Sequence, residues 1–255
     1  MIGRDSLTAL LADWLQPAAF ADGCPNGLQV YGRERIVRLC TCPSVSLAFF
    51  AAALERGADA LLVHHGLFWN KDPRVIEPHL GRRLRVLLEN ELNLYAYHLP
   101  LDAHRQLGNN AQLAALLDLA QRDDGFGLYH GTPIGMSGRL AAPLATAHLA
   151  ERLAAALDAA PQVLDFADGP IERIGILVGG GGDIPPVVEC ARSGCQALVT
   201  GTVFEQTVAV ARELGVAVIA LGHYNSEKLG VRALGDRIAE QTGIAVEHLD
   251  VPNPM

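Results

Sequence analysis

Short apolar segments alternate with longer amphipathic segments along most of this chain, and this alternation limits the possible folds more than any other feature. The apolar segments predict strands at residues 36–42, 60–63, 92–97, 137–140, 163–166, 171–178, 197–200, 216–221 and 244–251. The amphipathic segments predict helices at residues 5–15, 44–56, 79–90, 109–120, 143–159, 185–193, 203–214 and 226–241. Strands that alternate with helices form βαβ units around mostly parallel sheets, so the predicted fold class is α/β.

The turn-rich segment at residues 123–135 is the expected joint between two halves of the chain. The strand–helix alternation continues on both sides of it, and no low-complexity tract or long linker interrupts the sequence. We therefore expect two closely packed domains, at residues 1–125 and 126–255.

Composition narrows the class of protein and its partners. The chain has 255 residues and a formal net charge of −8, which argues against a general nucleic-acid binder because such proteins carry a basic face. The sequence has no basic and apolar leader and no run of 18 apolar residues, so we expect neither secretion nor a membrane span. The five cysteines are odd in number and lack metal-type spacing, and Cys40 and Cys42 suit buried thiols. Together these features predict a cytoplasmic protein.

Two adjacent histidines, His64 and His65, end the predicted strand at 60–63 and are followed by Gly66. Neighbouring residues of a strand point to opposite faces, so two imidazoles reach one pocket only where the chain turns out of the sheet. The carboxyl edge of a parallel sheet is also where open α/β folds bind their ligands. The alternative is that one histidine is half-buried and the other lies in solvent.

Two further segments place the same types of side chain just past an apolar strand. His98 ends the strand at 92–97, and Asp102 follows it by four residues. His223 follows the strand at 216–221, and Glu227 is four residues further on, so one helical turn would place both on the same face. The alternative is three unrelated loops with surface histidines.

Imidazole and carboxylate together suit Zn, Mn, Fe, Co or Ni better than Ca. The predicted ligands number five, and two of them are carboxylates that can bridge: His64, His65, Asp102, His223 and Glu227. This set predicts two divalent metal ions per chain, as in two-metal hydrolases, where the metals lower the pKa of a bridging water towards neutrality. His98 is spare in this count, and it is predicted either to transfer a proton as a catalytic residue or to orient a ligand.

Other motifs favour structural roles. The glycine run at 179–182 precedes Asp183 and could bind phosphate, but it matches neither G-x-G-x-x-G nor the P-loop, so a tight turn is the better interpretation. Thr200 and Thr202 follow a strand and are expected to cap the next helix rather than to touch substrate. No G-x-S-x-G motif or Ser-His-Asp set supports covalent catalysis.

Five motifs distributed over nearly the whole chain resemble the Ngg-interacting-factor-3-like family, whose bacterial members are called GTP cyclohydrolase 1 type 2 homologues. The matching motifs are DGCPNGLQV at 22–30, VHHGLFW at 63–69, YHLPLD at 97–102, GNN at 108–110 and GHYNSE at 222–227. The length is similar to the short form of the family, which lacks an inserted domain.

The resemblance implies two interlocked, three-layer α/β halves and a dinuclear metal site formed by the same five residues. It also implies a ring-shaped homohexamer and a hydrolase that acts on a nucleotide or related heterocycle through a metal-bridging hydroxide. One departure concerns Thr202, because the family usually has an acidic residue after Thr-Gly, where its carboxylate could orient a metal ligand or act as a base. Two alternatives therefore stay open: a non-catalytic metal-binding scaffold or regulatory partner, and a two-metal phosphoesterase.

Overall fold

The computed structural model describes all 255 residues, and its helices and strands alternate as the sequence predicts. The strands are β1 (Ile2–Gly3), β2 (Gly27–Val30), β3 (Arg35–Ile36), β4 (Arg38–Ser44), β5 (Ala60–His65), β6 (Asn93–Ala96), β7 (Ala120–Asp123), β8 (Leu128–Tyr129), β9 (Thr132–Pro133), β10 (Met136–Leu144), β11 (Gln162–Leu164), β12 (Ile171–Leu177), β13 (Ala197–Thr200), β14 (Ala217–Ala220) and β15 (Ala245–His248). The helices are α1 (Arg4–Leu15), α2 (Leu47–Glu55), α3 (Pro78–Glu89), α4 (Leu99–Asp102), α5 (Asn109–Leu116), α6 (Thr146–Leu157), α7 (Ile184–Ser193), α8 (Glu205–Glu213), α9 (His223–Ser226) and α10 (Lys228–Thr242), with a 3-10 turn at Pro17–Ala19. The predicted α/β class is confirmed.

The chain forms two compact units, and the chain positions that separate them differ from the predicted division at residue 125. Unit 1 comprises residues 1–101 and 231–252, and unit 2 comprises residues 102–230 and 253–255. The chain leaves unit 1 within α4 and returns to it within α10. The physical reason for the return is that β15 pairs in parallel with β4, so the end of the chain completes the first sheet.

Unit 1 is built on a five-stranded sheet in the order β15-β4-β5-β6-β2. The first four strands run parallel and only β2 runs antiparallel, as expected for a mostly parallel sheet. The apolar run at residues 60–63 of β5 is completely buried, which is the pattern of a central strand covered on both faces. Both histidines of β5 therefore stand at the carboxyl end of a rigid, central strand.

Unit 2 contains a six-stranded sheet in the order β11-β14-β13-β12-β10-β7. Only the central strands β12, β13 and β14 run parallel, whereas β7, β10 and β11 pair antiparallel. The prediction of mostly parallel sheets is therefore wrong for this unit. The sheet's apolar residues and helices α5 and α6 form one buried core. None of the helices is long and apolar enough to span a bilayer.

Several helix boundaries differ from the predicted ones. A residue caps a helix only if its side chain forms the capping hydrogen bond, and a suitable residue nearby in the sequence can belong to a strand instead. Helix α2 is capped by Ser46, whose hydroxyl accepts from Phe49 N at 3.0 Å. The predicted cap, Ser44, is the last residue of β4. Pro143 does not start a helix but lies in β10, and α6 begins three residues later.

Two cysteines meet where helix α7 ends. Gly194 adopts the left-handed conformation, and Cys195 N donates to Cys190 O at 2.8 Å, which is the Schellman arrangement that brings residues 190 and 195 together. A hydrogen bond from the Cys190 thiol, assisted by Ser193 and Arg173, lowers the pKa of Cys195 below its ordinary value despite its burial. Burial raises the pKa of Cys190.

We predict that Cys195 ionises at a lower pH than an ordinary thiol. The ultraviolet absorbance of the thiolate should rise in a step below the ordinary thiol pKa of about 8.5, and Cys195→Ser should remove that step. Because the folded-state pKa is lowered, the stabilisation by Cys195 should be complete above the ordinary thiol pKa and should be lost as the pH falls through the lowered pKa. Cys24→Ser is the control, since burial raises the pKa of Cys24 to about 11. A low-pH step that persists in Cys195→Ser would contradict this assignment.

Candidate metal centre

His64 and His65 leave the end of β5 with their Nδ1 atoms already engaged. His64 is fully buried, and its Nδ1 lies 2.9 Å from the carbonyl oxygen of Tyr97. A carbonyl only accepts, so Nδ1 carries the proton and the lone pair is on Nε2. The Nδ1 of His65 contacts Ser44 Oγ at 3.0 Å, across the β4–β5 register. Such hydrogen bonds fix a histidine as a metal ligand through its other nitrogen.

His98 joins these two histidines and is oriented by Asp22. The His98 Nδ1 lies 2.8 Å from Asp22 Oδ1, and the His98 backbone N–H donates to Asn26 Oδ1 at 2.7 Å. Burial alone would raise the pKa of Asp22, but hydrogen bonds from His98 and Asn26 outweigh it and lower that pKa well below its ordinary value. An ionised Asp22 only accepts, so the lone pair of His98 is also on Nε2.

The three imidazoles converge within unit 1. Ring centroids of His64 and His65 lie 4.6 Å apart, and the His98 centroid lies 5.0 and 5.7 Å from them. One nitrogen from each ring can be chosen so that all three lie within 4.8 Å of one another. Two rings whose Nδ1 atoms are bound to acceptors, converging with a third, fit the donor chemistry of a divalent transition metal.

Gly66 is required after these histidines for a steric reason. Its φ is not in the left-handed region, but a Cβ there would collide with the carboxamide of Gln29 and lie 2.7 Å from the Cβ of Ala96. The same carboxamide accepts from Leu67 N at 2.8 Å. Gly66 therefore allows Gln29 to hold the chain as it leaves β5, a role different from the turn that the sequence suggests.

In unit 2, His223 and Glu227 lie at the carboxyl end of β14. The one-turn helix α9 separates them by four residues, and His223 Nε2 lies 3.1 Å from Glu227 Oε2. Their placement on one face of a helical turn is confirmed. The Glu227 side chain is 4% exposed and that of His223 is 38% exposed, so the carboxylate is held inside and the imidazole at the surface of the unit.

Gly179 brings the loop after β12 against this pair. A Cβ on Gly179 would collide with Glu227 Oε1 and lie 3.1 Å from His223 Nε2, and its φ of +59° is left-handed. Its N–H donates to Ser226 Oγ at 3.0 Å, and the Ser226 hydroxyl in turn donates to His223 O at 2.9 Å. The backbone at Gly179 thus lies directly against the carboxylate of Glu227.

Asp102 begins unit 2 and is held by two buried asparagines. Asn109 Nδ2 donates to Asp102 Oδ1 at 2.9 Å, and Asn109 Oδ1 accepts from Gly230 N at 2.7 Å. Asn110 Nδ2 donates to the Asp102 carbonyl at 3.3 Å. Asp102 is only 6% exposed, so its carboxylate is both buried and oriented.

The glycine run at 179–182 is a structural turn, as the sequence analysis favours. The N–H groups of Gly179 and Gly181 already donate to Ser226 Oγ and to the carbonyl of residue 178, so they are not available to phosphate. The prediction that Thr200 and Thr202 cap a helix is wrong. The Thr202 hydroxyl donates to Gly179 O at 3.3 Å, and α8 begins after Phe204 with no side-chain cap.

The structure thus brings together His64, His65 and His98 in unit 1, and His223 and Glu227 in unit 2. The assignment of all five ligands to one dinuclear site stays a prediction. Sequence reasoning did not assign a role to Asp22, whose partner His98 is 76 residues away, or to Asn109, which binds Asp102. The available signal was that both lie in motifs of the family resemblance.

We predict that Gly179→Ala destabilises the protein by more than about 1 kcal/mol, because alanine is strained at positive φ and its Cβ would displace Glu227. Unfolding in denaturant measures this difference. Gly180→Ala is the matched control, since a Cβ there meets no atom within 4 Å. Equal losses in both variants would show that the approach to Glu227 is not what requires glycine.

Comparison with known proteins shows the family of this chain. The model of the family DUF34/NIF3 (NGG1p interacting factor 3) matches residues 2–254. A "GTP cyclohydrolase 1 type 2 homolog" of Vibrio cholerae is 44% identical over 252 residues, 98% of each chain. The solved structure of protein ybgI, described as of unknown function, has a TM-score of 0.93 at 39% identity over 100% of both chains. A solved structure from Thermus thermophilus has a TM-score of 0.87 at 32% identity, also over 100% of both chains. The chain therefore belongs to the DUF34/NIF3 family.

Proposed function

We propose that this protein is a metal-dependent hydrolase whose five ligands, His64, His65, Asp102, His223 and Glu227, bind two divalent metal ions. The observation that carries the proposal is the convergence of three imidazoles beside the end of β5, where the buried His64 donates its Nδ1 proton to a carbonyl. The buried carboxylates of Asp102 and Glu227 supply the negative charge that divalent ions require.

Bound divalent ions would supply Lewis acidity, which polarises a carbonyl or phosphoryl oxygen and acidifies water. The ions belong to the series Zn, Mn, Fe, Co and Ni, because imidazole and carboxylate ligands suit all of these metals. The protein's own contribution is to fix the ligands through Tyr97 O, Ser44 and Asn109.

We propose that His98 takes up or delivers a proton at its Nε2. The Nδ1 of His98 lies 2.8 Å from Asp22 Oδ1, so the carboxylate fixes the imidazole in one tautomer and orients its Nε2. The His98 side chain is 20% exposed, which leaves it accessible from one side. The alternative role is to orient the ligands His64 and His65 by ring contact.

The substrate class that we propose is a nucleotide or a related heterocycle. Its support is the name of the curated relatives, GTP cyclohydrolase 1 type 2 homolog, which refers to hydrolysis of a purine ring. We further propose that the protein works in the cytoplasm as a homo-oligomer, with the ring-shaped hexamer of the family as the expected form.

A specific observation favours a second candidate, a metal-binding scaffold without turnover. Position 202 holds a threonine, which has no carboxylate that could act as a base, and its hydroxyl donates to a backbone carbonyl. A two-metal phosphoesterase is the third candidate, and it would release phosphate while the purine ring stays intact.

We expect the purified protein to hold two metal ions per chain after loading with Zn, Mn or Fe, and Asp102→Ala to lose most of this metal because a buried carboxylate ligand is absent. Elemental analysis measures the metal content, and Asp13→Ala, a surface change in α1, is the control. No metal in the loaded parent would contradict the hydrolase proposal. Metal binding without any product from GTP would favour the scaffold.

We expect His98→Ala to retain metal but to lower turnover about 10²- to 10⁴-fold, the usual contribution of a proton-transferring side chain. His79→Ala removes an exposed imidazole of α3 and serves as the matched control. Turnover of GTP is measured by loss of the purine absorbance and, in parallel, by phosphate release. Unchanged turnover in His98→Ala would exclude the proton-transfer role.

A further inference from the structure

Trp69 is an aromatic residue beside the histidine cluster that the proposed chemistry does not use. It is one of two tryptophans in the chain, and it lies three residues after Gly66 in the segment that joins β5 to α3. Phe49 and Tyr95 are among the largest fully buried side chains, whereas Trp69 is only partly buried. A partly exposed indole next to candidate ligands needs an explanation other than core packing.

Hydrogen bonds hold the Trp69 segment against the loop that orients His98. Trp69 N donates to Asp72 Oδ2 at 3.0 Å, and Asn70 N donates to Gly23 O at 2.8 Å. The Asn70 side chain also donates to the backbone carbonyl of Asp22 at 3.3 Å. The backbone of Trp69 is therefore held beside the loop that contains Asp22, the partner of His98.

The indole of Trp69 lies beside two histidine rings and is still partly exposed. The Trp69 and His98 centroids are 5.0 Å apart at an interplanar angle of 79°, an edge-to-face contact, and the His65 centroid is 6.0 Å away. Gly23 also lies near the indole, since a Cβ there would be 3.8 Å from Trp69 Cε3. Because Trp69 is only partly buried, part of the indole is accessible to a ligand from solvent.

The segment that follows Trp69 has an excess of positive charge, whereas the whole chain is negative. Residues 71–85 contain five Lys or Arg and two Asp or Glu, whereas the formal net charge of the protein is −8. Lys71 and Arg74 are exposed and lie two and five residues after Trp69. A local positive excess attracts anionic groups such as phosphates.

We propose that Trp69 forms a stacking wall for the planar ring of a heteroaromatic substrate, a nucleobase, with Lys71 and Arg74 near its phosphates. This inference rests on the proposed function, because the stacked ring would lie beside the candidate ligand His65 and the proposed proton-transfer residue His98. Every nucleobase has a π-face that stacks on an aromatic side chain, so Trp69 would supply affinity for the ring rather than for one particular base.

The test uses Trp14→Phe, in which Trp69 is the only indole. We expect GTP to change its fluorescence saturably, and inorganic tripolyphosphate, which has no ring, to leave it unchanged. By calorimetry, Trp69→Ala should weaken GTP binding about tenfold or more, the size that stacking of one base supplies, while Trp69→Phe should keep most of the affinity. The matched control is Trp14→Ala, which removes the other indole of the chain and should bind GTP as the parent does.

Three results would overturn the inference: equal GTP affinity in Trp69→Ala and the parent, an equal response to tripolyphosphate and GTP, or no binding of GTP by the parent. Metal content of the same samples separates this failure from that of the proposed function. If the stacking test fails while two metals are bound per chain, only the inference about Trp69 is contradicted. If no metal is bound, the proposed function itself is contradicted.

Discussion

The histidine cluster of unit 1 depends on the hydrogen bonds that the carboxylate of Asp22 accepts. Its two oxygens accept four hydrogen bonds, from the His98 side chain, the Asn26 side chain and the backbone N–H groups of Cys24 and Leu99. A carboxylate with this many donors stays ionised, and each donor fixes a different part of the chain around it. One side chain thereby sets the position of the loop, the start of α4 and the tautomer of His98.

In unit 2, the close approach of backbone segments positions the predicted ligands His223 and Glu227. Loops after β12, β13 and β14 meet at the carboxyl ends of parallel strands, where Gly179 and Gly201 have no room for a side chain. A Cβ on Gly201 would collide with Gly179 O and lie 2.7 Å from Ser226 Oγ. Steric complementarity thus holds His223 and Glu227, whereas polar networks hold the histidine cluster of unit 1 and Asp102 of unit 2. The predicted ligands at the ends of β5 and β14 lie where α/β sheets commonly bind ligands.

The sequence predicts the parts of this structure that depend on local pattern. The apolar run that ends abruptly in two histidines predicted β5, and the spacing of His223 and Glu227 predicted the helical turn of α9. The partners of these residues were beyond local reasoning, because Asp22 and His98 meet across 76 residues. Strand β7 was equally inaccessible, since its residues are exposed and mostly polar and show no alternation. The choice of Ser46 over Ser44 as a cap depends on tertiary pairing, because Ser44 is held in β4.

The return of the chain to its first sheet has a consequence for biosynthesis. Strand β4 at residues 38–44 acquires its outer neighbour only from residues 245–248. During synthesis from the amino terminus, the outer edge of this sheet therefore stays open until almost the whole chain has left the ribosome. An open edge pairs readily with other chains, and long-range pairing of this kind forms slowly. Efficient production of this protein should thus depend on how well nascent chains are shielded from one another while they wait for their last strand.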